Sequence, residues 1–95
     1  MTTMRKASPH GVAAAIRKER SVLDKERGGS IDEKPQMRDD WTLKMVSLLH
    51  SSYYMRYDIA CGQASESNAL AKILRAVALG VACLEQHGLP KESSE

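Results

Sequence analysis

NALAKILRAVALGVACLEQHG, residues 68–88, is the stretch whose reading decides the fold. Its apolar residues recur every three to four positions, and it is too long for a single strand, so it predicts a helix over about 67–87. Leu70, Leu74, Val77, Val81 and Leu84 form one stripe of large side chains. Ala69, Ile73, Ala76, Gly80 and Cys83 form a second, of mostly small ones. Gly80 costs ~1 kcal/mol relative to alanine inside a helix, which points to close approach by another backbone. Ser65 or Ser67 serves as the N-cap. Gly88 stands where a left-handed cap is expected, Leu89 can fold back on the last turn, and Pro90 blocks continuation. A helix apolar around most of its girth must be covered around most of its girth.

Working outward, Trp41–Cys61 predicts a second helix over about 40–61, capped by Asp39 or Asp40 and ended at Gly62. Trp41, Met45, Leu48, Leu49, Ser52 and Met55 line one side, with Tyr53 and Tyr57 as an i, i+4 pair on the adjacent stripe. A third segment starts at Ser8-Pro9, a capping serine followed by a proline at the first helical position. It runs over about 9–27 and stops at Gly28-Gly29. Val12, Ala15, Ile16 and Leu23 share a face, opposed by Arg17, Lys18, Arg20 and Lys25. Residues 1–8 and 89–95 read as disordered ends, and 28–38 as a polar loop longer than usual. The expectation is an all-α protein: one helical domain over 9–88, a bundle of three main helices.

Two flanking helices can cover two sides of the last one. A second copy would cover the rest, which predicts a symmetric homodimer through Met45, Leu48, Leu49, Leu70, Leu74, Val77, Gly80, Val81 and Leu84. Ninety-five residues also favour a partner, because a chain this short buries a modest share of its surface.

The formal net charge of +2 is too small to imply polyanion binding by itself. The distribution is uneven: residues 1–27 hold seven Lys/Arg against three acids, and residues 28–40 hold four acids against two bases. Cys61 and Cys83 have no partner at metal-ligand spacing and read as buried reduced thiols, which fits a cytoplasmic location. Met1–His10 lacks the apolar centre of a secretory signal. Lys44, Arg56, Lys72 and Arg75 interrupt the apolar stretches, so no membrane span is expected.

The two long helices are poor in carboxylates: Trp41–Cys61 holds only Asp58, and Ser67–His87 only Glu85. No nucleophile–base pair, phosphate-binding glycine loop or zinc pattern can be read. His10, His50 and His87 are isolated, and His87 suits the negative end of the last helix. The cluster His50, Tyr53, Tyr54, Arg56 and Tyr57 admits two uses. Tyrosines beside arginine can stack bases and hold phosphate; equally, they can pack a helix interface with hydroxyls at its rim. Packing is the preferred reading. Trp41, His50, Tyr53 and Arg56 are the candidate ligand-binding residues if a pocket exists.

The order of features resembles a known family. The run AAAIRKERSVLDKERGG, a polar loop, Asp39-Asp40-Trp41-Thr42-Leu43 and the Ala/Val-rich final helix are similar to the short phage and prophage members of the MazG-like all-α nucleotide pyrophosphohydrolases, over residues 13–88. Catalytic members carry a Glu-Glu-x-x-Glu run on one core helix and a Glu-x-x-Asp pair on the next, which hold Mg²⁺ against the substrate phosphates. By register from Trp41 those positions fall at Ser47, Leu48, Ser51, Ile73 and Ala76, none of them acidic.

The resulting expectation is a non-catalytic, dimeric helical protein with no cofactor or metal. It would bind a protein partner or a nucleotide, as a phage or mobile-element accessory or an inhibitor of a host protein. Two alternatives stand beside it. One is a pyrophosphohydrolase using Mg²⁺ on Asp39, Asp40, Asp58 and Glu66. The other is a nucleic-acid-binding protein using the basic face of the first helix.

Overall fold

The structure, a computed structural model, describes residues 6–28 and 37–91. Three helices occupy them: α1 (Pro9–Arg27), α2 (Arg38–Ala60) and α3 (Glu66–His87). The all-α expectation holds, and the helices pack on one another. The loop expected over 28–38 and the chain ends fall mostly on residues 1–5, 29–36 and 92–95, outside the described residues.

Local chemistry sets most of the helix limits. Ser8 caps α1, its side chain accepting from the Gly11 N–H at 3.0 Å, with Pro9 at the first position. Gly28 ends α1 in the left-handed conformation, φ +80°, which a side chain disfavours. Ser65, not Ser67, caps α3, accepting from the Asn68 N–H.

Three boundary details differ from expectation. Met37, not an aspartate, precedes α2 and makes no side-chain cap; Asp39 and Asp40 lie in the first turn, where they favour the positive helix end. Gly88 has φ +94° and ψ 167°, an extended glycine conformation rather than a left-handed cap. Leu89 is 80% exposed and does not fold back.

Helix α3 is central. Both α1 and α2 pack against it, while α1 and α2 do not pack directly on each other among the described residues. The core is Leu23 from α1, Trp41 from α2, and Ala78, Leu79 and Ala82 from α3. Met45, Leu48 and Cys83 pack around it. Trp41 is fully buried, and its indole N–H donates to the Gln86 side-chain oxygen at 3.0 Å. Alanines at the contacts let both neighbours come close to α3. Ser52 adds a hydrogen bond from its hydroxyl to the Ala69 carbonyl at 2.9 Å.

The α1–α3 contact carries charge. Arg20 bonds Asp24 at 2.8 Å and Glu85 at 2.5 Å. Burial alone would lower the Arg20 pKa. The hydrogen bonds to Glu85 and Asp24 outweigh it and hold the guanidinium above its ordinary value. Arg75 of α3 reaches back to Glu19, at 3.0 Å, and to Glu26. Two arginines thus tie α1 to α3, one from each helix.

Candidate functional site

The burial of α3 departs from the stripe pattern in the sequence. Ala69, Ala76, Ala78, Leu79 and Ala82 are its buried residues. Three of the five large-stripe residues face outward, Leu70, Val77 and Leu84, and so does Ile73 of the second stripe; the four are 39–46% exposed. Neither α1 nor α2 covers that side.

Helix α2 extends this open surface. Leu49, Val46 and Tyr53 project from its flank and are 47%, 54% and 56% exposed. Between the two helices runs a groove of about 510 Å³, lined by Met45, Leu49, Ala76, Val77, Gly80, Val81, Cys83 and Leu84. Every lining residue is apolar. Gly80 forms part of it because the side chain of Met45 comes close: a β-carbon at Gly80 would lie 3.3 Å from the Met45 sulfur. The expected close approach is therefore by a side chain, not a backbone. Leu48, grouped with these residues in the sequence reading, instead lines the cleft between α1 and α2.

The aromatic cluster adjoins the groove along α2. Arg56 donates to the hydroxyls of Tyr53 at 2.5 Å and Tyr57 at 2.8 Å. Its guanidinium lies 4.2 Å and 4.7 Å from their ring centres. Tyr54 stands edge-on to Tyr53 and packs on His50, with ring centres 4.6 Å apart in the second pair. The rings are exposed, and Arg56 holds two of the hydroxyls in place.

The four candidate ligand-binding residues do not form one site. His50, Tyr53 and Arg56 belong to the exposed cluster, whereas Trp41 is in the core, nine or more residues away along α2. The acids of the alternative enzyme reading are also apart. Asp39 and Asp40 lie in the first turn of α2, and Asp58 near its end, a separation of about 27 Å at 1.5 Å per residue. Glu66 begins α3. Among the described residues no three His, Cys, Asp or Glu side chains gather at metal-binding distance.

The positions matched to catalytic acids by resemblance are divided as well. Ser47 and Leu48 line the α1–α2 cleft, Ala76 lines the α2–α3 groove, and Ile73 lies on the open face. The cleft measures about 530 Å³, with Leu23, Leu43 and Leu79 beside Glu26, Lys44 and Arg75. On the basic face of α1, Arg20 is largely buried and bound to carboxylates, leaving Arg17, Lys18 and Lys25 exposed. Cys61 is exposed and Cys83 half-buried, so neither is the fully buried thiol expected. Helix α3, contrary to expectation, is long and apolar enough to cross a membrane by length and hydropathy alone.

No protein-family model, curated protein or solved structure matches the chain.

Proposed function

We propose that this chain is a non-catalytic helical binding protein whose working surface is the open face of α3 with the adjoining flank of α2. One observation carries the reading: a groove of about 510 Å³ with an entirely apolar lining, flanked by exposed Leu70, Ile73, Val46 and Tyr53. Contiguous apolar surface of this kind marks an interaction site more often than a solvated face. Aromatic residues beside an aliphatic floor, with hydroxyls held at the rim, suit a protein interface. The resemblance to the MazG-like proteins fits a helical scaffold retained without its metal site. The accessory role on a phage or mobile element, in the cytoplasm, belongs to the same proposal.

The test is protection of the face where the protein works. With Cys61→Ser and Cys83→Ser removing the native thiols, Val77→Cys places one thiol on the open face. In the cells that produce the protein, that thiol should alkylate much more slowly than a Ser67→Cys control on exposed surface at the start of α3. Equal rates would remove the reading.

A further inference from the structure

Along α3 the open face reads nearly the same in both directions about Val77. Leu70 and Leu84 stand seven residues to either side, and Ile73 and Val81 stand four. Three to either side are Leu74 and Gly80, which turn to opposite flanks: Gly80 lines the groove with Met45, and Leu74 lies beside Glu19 and Arg75. Glu66 lies at one end and His87 at the other.

We infer that the surface is occupied by a second copy of this chain, with the two α3 helices antiparallel and crossing at Val77; the inference rests on the binding surface proposed above. In that arrangement Leu70 lies level with the partner's Leu84, and Ile73 with the partner's Val81. Glu66, at the positive end of its helix, comes near the partner's His87 at the negative end. A parallel pair would set each residue against itself, bringing Gly80 to Gly80 and Glu66 to Glu66. It would also align the helix dipoles unfavourably.

The two α2 helices then lie on the same side of the α3 pair, and their Leu49 and Tyr53 flanks close a four-helix bundle. Packing near 20° from antiparallel is the usual geometry of such bundles. Helix α1, on the other flank of α3, stays outside.

The exposed area suits this occupant. Leu49, Leu70, Ile73, Val77 and Leu84 are each 39–47% exposed, and Val46 and Tyr53 more than half. Side chains of these sizes leave on the order of 70–120 Å² each in water, about 600 Å² per protomer, so their complete burial between two copies would remove roughly 1,200 Å², which reaches the lower bound for a stable specific interface. The contact spans Leu70 to Leu84, about 21 Å of helix. A lipid surface is the poorer fit, because the stripe from Leu70 to Leu84 lacks the flanking lysines and arginines of membrane-lying helices. Of the two cations within that span, Arg75 turns to Glu19 and Glu26 on α1, and Lys72 stands five residues from Val77, about 140° round the helix from it.

The full chain should sediment as a dimer at micromolar concentration. Val77→Glu, at a position 43% exposed in the single chain, should give a monomer that keeps its helical circular dichroism. Register is read with a short thiol crosslinker in the Cys61→Ser, Cys83→Ser background. Leu70→Cys and Leu84→Cys proteins should crosslink when mixed and not when alone. A wild-type chain that is monomeric at high micromolar concentration overturns the inference. Crosslinking of Leu70→Cys with itself overturns the antiparallel arrangement. The Val77→Cys thiol separates this inference from the reading beneath it. Protection in the purified protein, rising with its concentration, supports the second copy. Protection in cells but not in the purified protein overturns the second copy and leaves the binding surface standing. Protection of the purified protein only on adding phosphatidylcholine vesicles overturns it in favour of lipid. No protection anywhere removes both.

Discussion

Replacing Trp41 by alanine tests the centre of the fold most directly. Trp41 is the largest fully buried side chain among the described residues, and it joins α2 to α3 by packing and by the bond to Gln86. A buried tryptophan removes 150–250 Å² from water, worth about 4–6 kcal/mol at ~25 cal/mol per Å². That is an upper figure, since the unfolded chain is not fully extended. Measured aromatic-to-alanine substitutions in cores cost about 3–5 kcal/mol, and we expect that range here. A domain of this length holds about 5–14 kcal/mol in total, so one substitution removes a large share. The assay is urea unfolding followed by far-UV circular dichroism, with all variants at one protein concentration because association adds to apparent stability. Leu43→Ala, at a residue 66% exposed, is the control and should change stability by less than about 0.5 kcal/mol. Trp41→Phe keeps a ring but drops the hydrogen bond, and should fall between the two. A Trp41→Ala loss below about 1 kcal/mol would refute the placement of Trp41 at the heart of the α2–α3 contact.

Four further outcomes follow from the same structure. Gly80→Ala removes a helix-interior glycine worth ~1 kcal/mol, against a contact that the flexible Met45 side chain can relieve, so thermal unfolding should show a small net gain. Gly28→Ala forces a side chain into φ +80° and should cost about 1 kcal/mol in the same measurement. Ser8→Ala removes the α1 cap and should cost about 0.5–2 kcal/mol, with faster amide exchange in the first turn of α1. Arg75→Met breaks the pairing with Glu19 and Glu26; because all three groups are partly solvated, the loss should be about 1 kcal/mol or less and should shrink in high salt.

The helix ends were largely legible, because Ser8-Pro9, Gly28 and Ser65 act through short-range chemistry. The start of α2 was not. Acids favour both the cap position and the first turn, so Asp39 and Asp40 point to the right region without choosing between them. The buried face of α3 was hidden for a different reason. A helix apolar all round has no polar side to orient it, and large side chains draw the eye as core. Here two neighbours approach closely, so alanines go inside around Leu79 and Leu70, Val77 and Leu84 face out. The sequence offered that stripe as a surface for a second copy, and the single chain leaves Leu70, Val77 and Leu84 exposed; Leu48 was misplaced because it sits at the edge of two faces. Trp41 illustrates the limit for sites: beside His50, Tyr53 and Arg56 in a list of aromatic and polar residues it suits a pocket, but only the fold shows it buried on Gln86. The pairs Arg20–Glu85 and Arg75–Glu19 join residues 65 and 56 positions apart, beyond any local pattern.

Helix α1 leans on α3, with little direct support from α2. Helices α2 and α3 are neighbours joined by five residues, Cys61 to Ser65, so their pairing closes a short loop and can form early. Helix α1 has no such neighbour. On the ribosome it is made before both, and its docking partners Arg75 and Glu85 follow its own Glu19 and Arg20 by 56 and 65 residues. Helix α1 must therefore wait until α3 has been made, and the order of assembly runs opposite to the order of translation.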